Sequence, residues 1–101
     1  MEKIKVTLDT YVSDMRPGQY FDILLNGEKA VILAIMEYGQ MSIYIVHNTC
    51  CLYGCSAGRN YWRTHREEGM PEFERSWYKS VEVNGTIGEM LKDIHADVEL
   101  I

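Results

Sequence analysis

The stretch His47 to His65, HNTCCLYGCSAGRNYWRTH, holds the side chains with most chemical potential in this chain. All three cysteines, Cys50, Cys51 and Cys55, fall within six residues of one another. His47 precedes them and His65 follows the last by ten residues. Thiolate sulfur and imidazole nitrogen are the usual ligands of zinc, with close ligand pairs two to four residues apart. Cys51-x3-Cys55, Cys50-x4-Cys55 and His47-x2-Cys50 all fit that spacing. The expected metal set is Cys50, Cys51 and Cys55 with one histidine, His65 in preference to His47. Five candidates compete for four places. His47 has a second expectation, as a strand residue in step with Ile43 and Ile45. The cysteines also fit two other roles, as small buried hydrophobes or as one reactive thiol. In the last case Cys55, within YGCSAG, is the candidate nucleophile and His65 its candidate base. No third residue to orient that base can be named, and GCSAGRN lacks the Gly-Lys-Ser/Thr of a phosphate loop.

After the cysteines come Arg59, Tyr61, Trp62, Arg63 and Arg66, residue types that anchor protein interfaces or stack on bases; Tyr61 and Trp62 equally fit packing beneath the loop. Glu67, Glu68, Glu72 and Glu74 follow at once and weigh against nucleic acid. So does the formal net charge of -5, since non-specific nucleic-acid binding needs a basic surface. Residues 80–101 carry five acids and one base. This acidic end suits a basic partner.

The elements that must position these residues are legible from periodicity. Residues 3–12 alternate Ile4, Val6 and Leu8 with polar positions, as in a half-buried strand. Ser13 to Gly18 is turn-rich. A strand over 19–26 ends at Asn26-Gly27, the strongest short hairpin signal. A third strand, 29–38, is continuously apolar from Ala30 and is expected to be central, buried on both faces. A turn at Gly39-Gln40 leads to a fourth strand, 41–48. These four elements are expected to form an antiparallel meander. Residues 49–70 lose strand periodicity, with a short helical turn possible over 60–68. A loop of this length inside a compact domain needs a reason to be ordered, and a bound metal would supply one. Strand character returns over 73–84. Thr86 and Glu89 fit a capping box, opening a helix over 87–95 with Ile87, Met90, Leu91 and Ile94 as its apolar stripe. DVELI, 97–101, reads as a short last strand. The expected fold is α+β: a mostly antiparallel sheet with one main helix near the C-terminus and a Cys/His loop.

With 101 residues, 47% hydrophobic and 25% charged, the composition is that of one soluble domain, 1–101. An odd cysteine count and a charged N-terminus argue against a secreted disulfide framework. A reducing cytoplasm is expected. AVILAIM, the longest apolar run, is too short to span a bilayer.

In size, acidity and its Cys/His stretch the chain resembles the small proteins of phages and mobile elements, and is similar to metal-containing anti-CRISPR inhibitors of Cas9. That resemblance implies a protein of the host-cell cytoplasm that binds Cas9 and blocks nucleic-acid loading or cleavage. The expected function is therefore a zinc-stabilised, non-enzymatic inhibitor of a larger protein. The alternatives are a small cysteine-dependent enzyme and a zinc-containing nucleic-acid-binding module.

Overall fold

The computed structural model describes residues 1–48, 55–79 and 85–101. Its elements in chain order are β1 (Glu2–Lys3), a 3-10 turn (Val12–Asp14), β2 (Gln19–Leu25), β3 (Glu28–Glu37), β4 (Gln40–His47), α1 (Ser56–His65), β5 (Arg75–Lys79), α2 (Ile87–Lys92) and β6 (Val98–Leu100). The strands form a mostly antiparallel sheet in the order β1-β2-β3-β4-β5, with β6 also beside β2. The fold is α+β, as the sequence predicts.

β3 is the centre of the molecule. Residues 30–35, AVILAI, are all at most 5% exposed. Period-2 alternation divides them between two cores. Ala30, Ile32 and Ala34 join Phe21, Ile23, Leu25, Ile43 and Ile45 beneath Ile87, Met90 and Leu91 of α2. Val31, Leu33 and Ile35 join Tyr20, Tyr44 and Val46 beneath Trp62 of α1. The unbroken apolar run is thus explained by cover on both faces.

Both short hairpins turn through left-handed backbone. Asn26 and Gly27 have φ of 50° and 79°, and Tyr38 and Gly39 have φ of 49° and 77°. Both turns therefore carry the two positive φ values that a two-residue hairpin of this hand needs.

The structure departs from the sequence reading in four places. Residues 3–12 do not form a long strand. Only Glu2 and Lys3 pair with β2, and they do so in parallel, so the antiparallel meander is β2-β3-β4 alone. Two causes are visible. The outer edge of β2 is shared, because β6 takes Ile23 to Leu25. The Thr7 and Thr10 side chains also bend the chain locally, with Thr7 N donating to Thr10 Oγ1 at 2.9 Å and Thr10 N to the Thr7 carbonyl at 3.1 Å. Such local bonds compete with a ladder.

The longer helix is α1, not the C-terminal one, and it starts at Ser56 rather than near Asn60. α2 stops at Lys92, where the Asp93 N–H turns back to Met90 and Leu91 carbonyls. Half of the expected capping box forms: Glu89 N donates to Thr86 Oγ1 at 3.2 Å, while the Glu89 carboxylate accepts from the Thr86 hydroxyl at 3.2 Å. β5 covers 75–79 of the strand expected over 73–84; residues 80–84 lie outside the described residues. Among the described residues, no helix is long and apolar enough to cross a membrane.

Candidate functional site

The structure does not bring the described metal candidates together. His47 closes β4 in step with Ile43 and Ile45, on the α2 side of the sheet. It is buried, with Nε2 at 3.0 Å from Glu28 Oε2. Cys55 lies on the opposite side, packed against the core under α1. His65 is at the far end of that same helix. Ten residues of helix separate it from Cys55, about 15 Å at the usual rise per residue. Its Nδ1 is 3.0 Å from the Tyr61 carbonyl oxygen, and its ring stacks on Tyr61 at 4.0 Å. One ion therefore cannot take Cys55 together with either histidine. Among the described residues no three His, Cys, Asp or Glu side chains cluster as a metal set. Cys50 and Cys51 lie outside the described residues.

The same geometry removes His65 as a base for Cys55. What Cys55 meets instead is a phenol: its Sγ lies 3.6 Å from Tyr44 Oη. Tyr44 in turn donates to Glu37 Oε1. Burial, then the hydrogen bond to Glu37, then that to Cys55 hold the phenol proton well beyond the usual tyrosine range. Tyr44 is thus a fixed neutral donor, unsuited to accept a proton. Helix α1 comes close enough to enforce this only because residue 58 is glycine: a Cβ there would stand 2.7 Å from the Tyr44 ring.

The aromatic and arginine group after the cysteines is also dispersed. Trp62 is 1% exposed and is core. It stands edge-on to Tyr20 at 5.1 Å, and its indole N–H donates to the Pro71 carbonyl at 2.7 Å. Arg66 pairs with Glu72 at 2.6 Å and caps the Met70 carbonyl at 2.7 Å. These contacts fold residues 66–73 beneath α1 and explain how the segment is ordered by packing.

Among the described residues the most exposed aromatic lies elsewhere, at the tip of the β3-β4 hairpin. Tyr38 is fully exposed, at 103% of the reference area, and Met36 beside it is 56% exposed. On one side of the tip Met36 and Met41 pair across the strands. They border a groove of about 580 Å³ whose other walls include Val12, Met15, Arg16 and Pro17. On the other side Glu37 is tied to Tyr44, so the tip is held from beneath. The sequence places the strand end at Tyr38 and the turn at Gly39-Gln40; the structure moves the turn one residue back, to Tyr38-Gly39. The signal was present: two-residue loops of this hand ask for Asn, Asp or Gly, and a tyrosine stands there.

Compared with known proteins, the chain matches no family model, no curated protein and no solved structure.

Proposed function

We propose that the chain is a non-enzymatic binding protein that docks on a larger protein through the β3-β4 tip, with Tyr38 as anchor and the methionine groove beside it. The observation that carries this reading is Tyr38 itself. A bulky side chain in the left-handed region costs about 1–2 kcal/mol, and backbone outliers of this kind point toward function. Full exposure leaves Tyr38 no packing within the chain to offset that cost. Tyrosine and methionine are enriched at the centres of protein interfaces, and methionine adapts to the partner's shape.

For the partner, the net charge of -5 favours a protein with a basic surface. A nucleic-acid-binding enzyme such as Cas9, inhibited in phage counter-defence, is the proposed case. Zinc enters this proposal only through thiolates, Cys55 with Cys50 and Cys51, and without His47 or His65. About one zinc per chain, kept in a His47→Ala, His65→Ala variant, would support it. Metal-free protein whose melting is unmoved by a chelator would remove it.

The test of docking uses guide-loaded Cas9 and a host lysate in parallel, with wild-type and Tyr38→Ala chains as immobilised baits. The expected result is a protein retained by the wild type and lost from the variant. Equal retention by both would overturn the role of the tip. Retention of a protein other than Cas9 would keep the tip and discard the Cas9 partner.

A further inference from the structure

Inside the groove beside the β3-β4 tip, one edge of β3 is left open. β2 begins at Gln19, and its ladder with β3 starts where Tyr20 stands opposite Leu33. β3 runs on to Glu37. Gly18 N still donates to the Ala34 carbonyl at 2.7 Å, so the backbone groups of Ala34 point to the β2 side. Two residues on, the N–H and C=O of Met36 point the same way. The chain that could meet them has already turned at Gly18, whose φ is 90°. Among the described residues no backbone group pairs with Met36 on that side. On its other side Met36 has Met41 of β4 as register partner.

The wall facing this edge is preformed. Met15 N donates to the Val12 carbonyl at 3.0 Å, and Gln19 N to the Arg16 carbonyl at 3.0 Å. Arg16 N donates to Gln19 Oε1 at 2.8 Å. The backbone of Arg16 is thus satisfied within the wall and not by Met36. Val12, Met15, Pro17, Met36 and Met41 give the groove an apolar lining, and Arg16 is the one charged residue in it. The Arg16 side chain is exposed, and among the described residues it forms no ion pair. A free strand edge is a template for another strand. An extended segment laid on it gains main-chain hydrogen bonds, while apolar hollows take its alternate side chains.

We propose that the groove takes an extended apolar segment of the docked protein, which pairs with β3 at Met36 and sets a carboxylate against Arg16. This inference rests on docking at the β3-β4 tip and names what enters beside it. Planar guanidinium donors match carboxylate oxygens in pairs. The volume of about 580 Å³ lies within the usual span of binding pockets, roughly 300–1,000 Å³. The net charge of -5 governs the approach of a basic protein. Arg16 is the local exception, and it selects the segment that enters.

The test is selection of displayed random peptides, about seven residues long, on the immobilised full chain, followed by calorimetry with the synthetic winners. The expected peptides carry apolar residues at alternate positions and an Asp or Glu. Arg16→Gln should weaken them at least tenfold and Asp14→Asn should leave them unchanged. In an N-methyl scan of the peptide, one amide should cost at least tenfold and its two neighbours much less, because Met36 offers a single N–H and C=O pair. The Met36 amide resonance should move with binding. Selection of acid-free or basic sequences, no enrichment, full affinity in Arg16→Gln or a flat N-methyl scan would overturn the proposal. Docking at the tip is read separately, by protein capture with Tyr38→Ala. Peptides that behave as expected while Tyr38→Ala still captures the partner would keep the groove segment and discard Tyr38 as anchor. Failure of the peptides with loss of capture in Tyr38→Ala would keep the tip and discard the segment.

Discussion

Two hairpin turns in this molecule share a backbone and differ in what the backbone is given. At Asn26-Gly27 the first residue suits its φ of 50°, because asparagine tolerates the left-handed region. Its side chain also does structural work: Asn26 Oδ1 accepts from Asp97 N at 3.0 Å, tying the turn to the segment before β6. At Tyr38-Gly39 nearly the same φ of 49° is occupied by a tyrosine that is fully exposed. One turn is chosen for the fold. The other carries a local cost that nothing in the fold repays, and it borders an apolar groove. A mismatch between local preference and structure marks the place where function is to be sought.

Substitutions can break or sharpen this contrast. The largest effect is expected in binding. Tyr38→Ala should weaken partner affinity by roughly 30-fold or more, the scale of an interface anchor. Asn26→Ala should leave affinity unchanged; surface plasmon resonance against the captured partner compares them. Next in size is Asn26→Tyr, which places the second turn's residue in the first. It should destabilise by about 2 kcal/mol, from left-handed strain and the lost bond to Asp97, as read by denaturant unfolding. The reciprocal Tyr38→Asn should stabilise by about 1 kcal/mol, since no contact of the tyrosine is lost. A fall in stability would show that Tyr38 supports the turn after all.

The smallest effect concerns the tie beneath the tip. The Tyr44 phenol is raised above its ordinary value in the folded state, which is about 10 in an unfolded chain. Below that pH both states keep the proton and the stabilisation is fully present. Above it the unfolded state releases its proton first, so stability falls as pH rises toward the folded value. Tyr44→Phe should flatten that alkaline limb, by under about 1 kcal/mol half a unit above pH 10. Tyr20, also raised by burial, keeps some slope in the variant. Equal slopes in the two proteins would argue that Tyr44 is not held as a neutral donor.

Much of the fold was legible because its signals are local. The apolar run from Ala30 and the turn signals on either side of it mark β2, β3 and β4, Asn26-Gly27 marks one hairpin, and Thr86 marks the start of α2. What was hidden depends on distant partners. β1 is short and parallel because β6, from the far end of the chain, occupies the rest of the β2 edge. The start of α1 is hidden because it depends on Gly58, whose absent side chain lets the helix settle on Tyr44, a contact made across the fold. The chemistry-bearing residues misled for a related reason. Cysteine and histidine nearness in sequence suggested one cluster, yet a strand end and a helix intervene. His47 falls on one sheet face, Cys55 on the other, and His65 a helix length away. The parity of His47 with Ile43 and Ile45 was readable; the face reached by Cys55 was not. Tyr38 is legible only as a mismatch with the turn chemistry around it, because a single aromatic at a turn has no motif.

The most direct measurement is a joint one on Tyr38→Asn: its melting temperature and its retention of the protein captured by the wild-type chain. If Tyr38 is the docking residue, the variant melts about 4–8 °C higher, the shift expected of 1 kcal/mol in a domain of this size, and loses the captured protein. A variant that retains the captured protein at wild-type affinity, or melts lower than the wild type, would contradict the assignment of function to the β3-β4 tip.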